Sequence, residues 1–262
     1  MTTISGTIIF GVLGLIFGSF INAVVWRIHA GKSIAKGRSE CVHCHHELGV
    51  LDLFPVISWL MLGGKCRYCK QPISVQYPLV ELATAGLFAL SYARLAPVGW
   101  AGWLAFAAWL YMLGSLIVLT VYDLRWMLLP NVVIFPALAV ALVPVVINFV
   151  TGLPLQTWLG PIEAAILVGG AFYALAAVSD GKWMGGGDIK LVALIGLALG
   201  LHRTAVAMFI GFDTAALVSL GLLATGVKKR RDHIPFGPFL ALGCVAAMLY
   251  GTTILNWYFT RL

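Results

Sequence analysis

The chain has 262 residues, of which 61% are hydrophobic and 10% are charged, and its formal net charge is +7. Soluble domains contain about a quarter charged residues, so this composition excludes an assembly of water-soluble domains and indicates that most of the surface faces lipid. The positive charge therefore needs a membrane explanation before a nucleic-acid one, and no long basic amphipathic stretch predicts nucleic-acid binding.

Apolar segments recur along the whole chain. The first of them, residues 4–26, is followed by Arg27 and has no small-residue cleavage signature after it, which predicts a membrane anchor and not a signal peptide. A spanning helix needs about 20 apolar residues. On this basis we predict eight spans, near residues 4–27, 79–96, 100–122, 131–150, 158–179, 189–201, 204–226 and 236–258. The sixth is short and rich in glycine.

Only residues 31–78 form a sizeable polar insertion between these segments. We therefore expect an all-α membrane protein in three parts. Residues 1–30 are predicted to form the first transmembrane helix, residues 31–78 a small cytoplasmic domain, and residues 79–262 a bundle of transmembrane helices.

The basic residues predict the orientation in the membrane. If the N-terminus lies outside, alternating spans place 14 of the 17 lysines and arginines on the cytoplasmic side, and only Arg94, Arg203 and Arg261 fall outside. The reverse orientation would put the basic run 228–231 on the wrong side. We expect a multi-pass inner-membrane protein whose N-terminus is outside.

Four of the five cysteines form two CxxC pairs inside the insertion. Cys41 and Cys44 precede Cys66 and Cys69 with 21 residues between the pairs, a spacing close to that of four-cysteine zinc modules. Four thiolates close the coordination shell, so the predicted zinc is structural. Two alternatives stay open: reduced, unliganded cysteines in a loop, and replacement of a thiolate by one of three nearby histidines, namely His43, His45 and His46. Cys244 lies in an apolar run and is expected only to pack.

The positions of the acidic residues single out one pair. Asp123 ends the third predicted span and Asp188 begins the sixth, so both lie at the cytoplasmic boundary and can meet at one depth. Two carboxyl groups in a low-dielectric site cannot both ionise, so one keeps a proton while the other acts as a general base on a shared water. The alternative is that each acid caps a helix or pairs with Arg125 or Lys190.

The remaining acids have simpler expected roles. Glu40, Glu47, Asp52 and Asp232 are expected to be solvated, and Glu81, at the start of the second span, could orient a polar group or pair with a basic residue. The glycines at 185–187 would let the backbone before Asp188 bend sharply and approach a substrate.

Several segments resemble those of type IV prepilin peptidases, in order along nearly the whole chain. Asp123 with the run 128–131 (LLPN) resembles one catalytic motif of that family. The run 185–191 (GGGDIKL) resembles the other, which is the GxGD signature. Further matches are the run 18–22 (GSFIN) with Arg27, the two CxxC pairs, residues 52–60, the run 77–81 (YPLVE) and the run 235–239 (PFGPF).

This resemblance implies cleavage of prepilins or pseudopilins on the cytoplasmic side, after a glycine that precedes their hydrophobic helix. It assigns catalysis to Asp123 and Asp188. Members with the cysteine insertion commonly also methylate the new N-terminus with S-adenosylmethionine, although no cofactor motif is visible in this sequence. Asp213, within the seventh span, departs from the family pattern, and we expect it to have a structural or incidental role.

The sequence is also compatible with other functions. A transporter would use Asp123, Asp188, Asp213 and Glu163 as a proton or ion path, because acids within a membrane are functional by default. A zinc-ribbon scaffold without chemistry is a further alternative. A zinc metallopeptidase is disfavoured because no HExxH motif occurs. The sequence leaves open whether the pilus, secretion or DNA-uptake system is served.

Overall fold

The computed structural model describes residues 3–229 and 232–260, and within these ranges it is helical without any β-strand. The chain forms two compact units, Met1–Pro97 and Val98–Leu262. The first unit contains α1 (Thr3–His29), a 3-10 turn (Val50–Asp52), α2 (Ile57–Met61) and α3 (Gln76–Leu95). The second contains α4 (Gly99–Trp126), α5 (Asn131–Val150), α6 (Leu155–Val178), α7 (Gly186–Leu199), α8 (Leu201–Ala224) and α9 (Gly237–Phe259).

In the first unit, α1 packs antiparallel against α3 through a row of small residues. A Cβ built on Gly14 would lie 2.6 Å from the Cα of Ala85, and one built on Gly18 would lie 2.6 Å from the Cα of Glu81. These glycines let the two backbones approach closely, which is how membrane helices pack when no hydrophobic effect drives them together. The contact continues to the ends of the pair, where Asn22 donates to the carbonyl of Tyr77.

This packing predicts the effect of a single methyl group. Gly14→Ala should lower the free energy of unfolding of the first unit by about 1–3 kcal/mol, because the added Cβ overpacks a backbone contact. Gly86→Ala is the matched control, since nothing lies within 4 Å of a Cβ at Gly86 in α3. Thermal unfolding in detergent measures both variants. Equal stability of the two would contradict the close α1–α3 contact.

The chain leaves α1 through a turn that a buried arginine holds. Arg27, in the last turn of α1, is 8% exposed, and its guanidinium donates to the carbonyls of Ile34 and Gly37, both at 2.8 Å. A buried guanidinium needs such partners. Arg27 thus fixes the path by which the chain enters the polar insertion.

In the second unit, α7 is surrounded by α5, α6, α8 and α9. Its side chains at Leu191, Val192, Leu194 and Ile195 are fully buried. Helix α4 supplies much of the remaining core and contacts α5 and α9. Because α7 is buried on most sides, the acid at its N-terminal end has a fixed position relative to the neighbouring helices.

The structure contains fewer clear spans than the eight that the sequence predicts. Within the described residues, six helices are long and apolar enough to cross a membrane: α1, α4, α5, α6, α8 and α9. The other two predicted segments correspond to α3, which falls short in apolar composition, and to α7. The 14 residues of α7 reach about 21 Å, less than a hydrocarbon core of about 30 Å. Three of the basic residues that predict the orientation, Arg230, Arg231 and Arg261, lie outside the described residues.

Candidate active site and metal centre

Asp123 lies one turn before the end of α4 and is 5% exposed. Its Oδ2 accepts a hydrogen bond of 2.9 Å from the backbone N–H of Gly237, the first residue of α9. The first N–H groups of a helix have no partner within the helix, and the positive end of the helix dipole favours an acid there. The N-terminus of α9 therefore holds the carboxyl group of Asp123 in place.

Asp188 lies in the first turn of α7 and is partly buried. Its carboxyl group accepts a hydrogen bond from the backbone N–H of Gly185, and it lies within electrostatic reach of Asp123. The hydrogen bond to the residue that precedes the helix is a capping interaction. The structure thus brings the two predicted acids close enough to interact, each at the N-terminus of a helix.

Leu129 packs between the two glycines that flank the acids. A Cβ built on Gly187 would lie 2.9 Å from Cβ of Leu129, and a Cβ built on Gly237 would lie 3.3 Å from Cδ2 of the same leucine. Gly187 is therefore required by close approach and not by a bend, because it lies inside the helix and none of the glycines at 185–187 has a positive φ. The special conformational freedom of glycine is therefore not used at these positions, and the approach of a substrate to them stays a prediction.

The alternative of simple ion pairing is not realised at either acid. Among the described residues, neither Asp123 nor Asp188 forms an ion pair, and Lys190 instead donates to Oδ1 of Asn131 at 2.8 Å. This bond links α7 to the start of α5. The capping alternative holds for Asp188 in part, but capping alone does not account for a second carboxyl group placed beside it.

The close approach of Gly237 to Asp123 gives a testable consequence. A Cβ on Gly237 would lie 2.7 Å from Oδ2 of Asp123, so Gly237→Ala should displace the carboxyl group and lower the cleavage rate on the order of 10²-fold, the usual cost of a misplacement of about 1 Å. Gly170→Ala in α6 is the control, since its Cβ would meet nothing within 4 Å. Cleavage of a prepilin in detergent, the reaction that the resemblance of the motifs implies, measures both variants. An unimpaired Gly237→Ala would contradict this geometry.

Two further acids of the second unit do not join the pair. Glu163 on α6 and Asp213 on α8 are both exposed in this unit, and neither forms an ion pair among the described residues. The described part of the unit therefore holds no chain of buried acids leading from Asp123 and Asp188 through the bundle. The alternative of a transporter with a proton or ion path through these acids has no support in this arrangement.

The four cysteines of the insertion come together. The Sγ atoms of Cys41, Cys44, Cys66 and Cys69 all lie within 4.8 Å of one another, and those of Cys41 and Cys69 are 3.8 Å apart. Four sulfurs arranged tetrahedrally at about 2.3 Å from a zinc ion are separated by about 3.8 Å. The cluster has the donor set and the size of a structural four-cysteine site.

The two CxxC pairs share one backbone conformation. The N–H of Cys41 donates to the carbonyl of His46, and the N–H of Cys66 donates to that of Gln71. The residue after each second cysteine, His45 or Lys70, has a positive φ near 60°. Each pair thus forms the same tight turn, and two such turns face each other across the cluster.

This turn directs backbone N–H groups at the sulfurs. Burial acts to raise the pKa of the Cys66 thiol, but hydrogen bonds from the backbone N–H groups of Cys69 and Tyr68 outweigh it and lower the pKa to about 7. Thiolates are the form that binds metal. Among the described residues, none of the three histidines that the sequence left open as ligands joins the cluster. His45 faces Glu40, and the ring of His46 lies against that of Tyr68 at a tilt of 38°.

Asp52 has a role that sequence reasoning missed. It was expected to be solvated, but its side chain is 6% exposed and accepts hydrogen bonds from Arg67 Nε (2.6 Å), Tyr68 Oη (3.1 Å) and the N–H of Gly49 (3.1 Å). Burial acts to raise the pKa of Asp52, but these hydrogen bonds, led by that of Arg67, hold it below its ordinary value. Arg67 and Tyr68 lie between Cys66 and Cys69, so their hydrogen bonds to Asp52 stabilise the second turn of the metal centre.

Glu81 fulfils one of its two expected roles. It is 6% exposed in α3, and it accepts hydrogen bonds from the N–H of Val56, at 2.7 Å, and from the hydroxyl of Ser19 in α1. It forms no ion pair among the described residues. Glu81 therefore orients polar groups and ties the insertion to the α1–α3 pair.

Comparison with known proteins places the chain in a family. Residues 12–95 match the model of the bacterial peptidase A24 N-terminal domain, and residues 110–220 match that of the type IV leader peptidase family. A prepilin leader peptidase/N-methyltransferase of Bacillus subtilis (strain 168) is 36% identical over 94% of this chain and 95% of its own length. The chain belongs to the type IV leader peptidase family.

Further relatives of this leader peptidase carry the same name. Those of Aeromonas hydrophila and Burkholderia pseudomallei (strain K96243) are 35% and 30% identical, over 86% and 92% of this chain and 75% and 84% of their own lengths. No solved structure matches the chain at a significant level. The resemblance drawn from the motifs is confirmed. With six apolar helices, membership of this family indicates a multi-pass inner-membrane protein.

Proposed function

We propose that the protein is an aspartic endopeptidase that removes the leader peptide of type IV prepilins or pseudopilins, and that it also methylates the new N-terminus. The observation that carries the peptidase assignment is the meeting of Asp123 and Asp188 at the N-termini of two helices in a chain of this family. Two carboxyl groups that interact can share one proton, which is the arrangement aspartic peptidases use. The proposal includes no nucleic-acid partner.

In the proposed mechanism, the ionised carboxyl group of the pair takes a proton from a water molecule held between the two acids. The water oxygen attacks the scissile carbonyl carbon, and the protonated carboxyl group donates its proton to the carbonyl oxygen. The tetrahedral intermediate then collapses, and a proton passes to the leaving amine. The N–H of Gly237 holds Asp123 for both steps, so its carboxyl group needs no reorientation.

We propose that the cysteine cluster binds one zinc ion with a structural role. Cys41, Cys44, Cys66 and Cys69 fit the donor number and spacing of a closed tetrahedral shell, which leaves no position for an activated water. The ion would join two turns of an insertion that has little core of its own. Peptide hydrolysis is therefore assigned to the aspartates alone.

The proposed topology keeps eight crossings with the N-terminus outside. Helix α3 pairs with α1 along the apolar length of that span, from Gly14 to Asn22, which supports a crossing at the same depth. Helix α7 is short but is surrounded by apolar helices, which supports its place within the bilayer. In this orientation the insertion 31–78 and the ends of α4 and α7 that carry the acids face the cytoplasm.

The methyl-transfer assignment rests on the names of the relatives, which are prepilin leader peptidase/N-methyltransferases. S-adenosylmethionine is the methyl donor we propose, and we assign no residues to it. Its sulfonium methyl group would supply the electrophile for the free α-amino group that cleavage creates. Cleavage must therefore precede methylation.

One experiment tests both activities. Purified protein is incubated with a prepilin, with and without S-adenosylmethionine, and the mature product is weighed by mass spectrometry. We expect loss of the leader in both reactions and one added methyl group only with the cofactor. An intact prepilin would refute the peptidase assignment, whereas cleavage without methylation would refute only the transferase.

A further inference from the structure

The insertion exposes an apolar surface beside the metal centre. Six large hydrophobic residues of the 3-10 turn, α2 and the link between them are half or more exposed, from 50% for Phe54 to 83% for Met61. On α2 the exposed positions 57, 60 and 61 share one helical face. We call this the 50–61 surface; its residues are Val50, Leu51, Phe54, Ile57, Leu60 and Met61. An exposed apolar patch on a small polar domain marks a site of interaction with a partner or a membrane.

A hydrogen bond fixes the depth of this surface along the first span. The N–H of Val56, between the turn and α2, donates to Glu81 at 2.7 Å, and the backbone of Glu81 packs on Gly18 of α1. Gly18 precedes Arg27, the first charged residue of α1, by nine residues, or about 13 Å along the helix axis. The segment therefore folds back along α1, past its charged end at Arg27, to a level within the apolar part of the span.

The surroundings of this level are apolar. On α3, Leu79 and Leu82 flank Glu81 and are 60% and 52% exposed. On α1, Phe17 and Phe20 lie beside Gly18 and are about half exposed. In the proposed topology both helices cross the bilayer, so side chains exposed on them at this level face lipid. The 50–61 surface thus adjoins the lipid-facing surface of the first unit.

The insertion also carries unpaired basic residues, one of which lies close to this surface in the chain. Lys65 follows α2 by four residues, and Lys36 and Lys70 are also exposed in the insertion. None of these three lysines forms an ion pair among the described residues, whereas Lys32, Arg38 and Arg67 each do. Free lysines in a segment that also carries an apolar face are typical of segments that bind an anionic membrane surface.

From these observations, we propose that the 50–61 surface inserts into the boundary between headgroups and acyl chains of the bilayer, with anionic phospholipid as its partner. Elements of this kind bury their apolar face about 5–10 Å into that boundary. The insertion would then be held to the membrane by Glu81 from one side and by lipid from the other. The lipid contact is independent of the peptidase assignment.

Photo-crosslinking in a bilayer tests this inference. The photoreactive residue p-benzoylphenylalanine is placed at Met61, or at Ile57 should the first variant fail to fold, in the full chain reconstituted in nanodiscs of phosphatidylglycerol and phosphatidylethanolamine. The matched control is Val42, a 42% exposed hydrophobic residue of the metal centre outside the surface. After irradiation, mass spectrometry identifies the adducts. We expect several-fold more lipid adduct at position 61 or 57 than at position 42.

Two results would overturn the inference. One is an equal and low yield of lipid adducts at all positions, which would show that the surface lies in water. The other is loss of the lipid adduct in favour of a prepilin adduct when substrate is added, which would identify the surface as a docking site for the hydrophobic helix of the substrate. Cleavage measured in the same nanodiscs reports the peptidase assignment separately.

Discussion

Replacing either acid of the pair with its amide should abolish prepilin cleavage. Asp123→Asn and Asp188→Asn each remove a group that must hold or accept the shared proton, and an amide can do neither. A positioned general acid or base contributes on the order of 10²–10⁴-fold, so we expect at least that loss for each variant. The hydrogen bond from Gly237 to Asp123 can persist with the amide oxygen, so the fold should remain intact.

The control for this prediction is Asp213→Asn. Asp213 is also an acid within an apolar helix, but it is exposed on α8 and is not among the groups that act on Asp123 or Asp188. We expect its cleavage rate to stay within a few-fold of the unmodified protein, although the yield of protein can change, because an acid in the bilayer is costly. Initial rates of leader removal and helical content in detergent are measured for all three variants.

The double variant of the pair adds a test of cooperation. If Asp123 and Asp188 act on one water, Asp123→Asn combined with Asp188→Asn should be no slower than either single variant, because groups that act as a unit are not additive. Substantial turnover in one single variant, with the other inactive, would contradict the shared-proton mechanism. Inactivity of Asp213→Asn at normal expression would require the pair to be reassigned.

The meeting of the two acids could be predicted from the sequence because it depends on the alternating direction of the spans and on the position of each acid at the end of its span. Asp123 and Asp188 each lie at one end of an apolar segment, and alternating spans bring those ends to the same boundary. Which groups surround them could not be predicted in the same way. The N–H of Gly237 and the side chain of Leu129 come from other parts of the chain, and only the packing of α4, α7 and α9 brings them to the acids.

The number of spans was harder to predict for the same physical reason. Hydropathy measures contact with lipid, but α7 contacts other helices and its 14 residues need not match the bilayer. Helix α3 keeps Glu81 buried because Ser19 and the backbone of Val56 satisfy it. A sequence window cannot register such partners, so both segments are ambiguous by composition.

In the insertion, too, features set by neighbouring residues could be predicted, and features set by residues distant in the chain could not. The spacing of Cys41, Cys44, Cys66 and Cys69 predicts their cluster because each CxxC turn is local. The burial of Asp52 could not be predicted, since an acid in a polar stretch is ordinarily solvated. Its partners, Arg67 and Tyr68, become its neighbours only when the second turn folds back on the first.

Loss of one cysteine should therefore remove the metal and loosen the insertion while the membrane helices stay folded. Purified protein should contain about one equivalent of zinc, and Cys41→Ser or Cys69→Ser should contain almost none, because a structural zinc site contributes about 10–16 kcal/mol through all four ligands together. Cys244→Ala is the matched control: Cys244 is buried in α9, far along the chain from the cluster, so its zinc content should not change.

Two measurements decide this prediction. Metal analysis gives the zinc content, and amide hydrogen exchange should rise across residues 31–75 in the cluster variants but not across α4 or α7, which hold the acids. Cleavage should fall less in Cys69→Ser than in Asp188→Asn, because a closed four-sulfur shell offers no position to a reacting water. Absence of zinc from freshly purified, unchelated protein would refute the metal centre. A chelator could instead stop cleavage while hydrogen exchange across residues 31–75 stayed slow. The ion would then have a catalytic role, and the assignment of hydrolysis to the aspartates alone would be wrong.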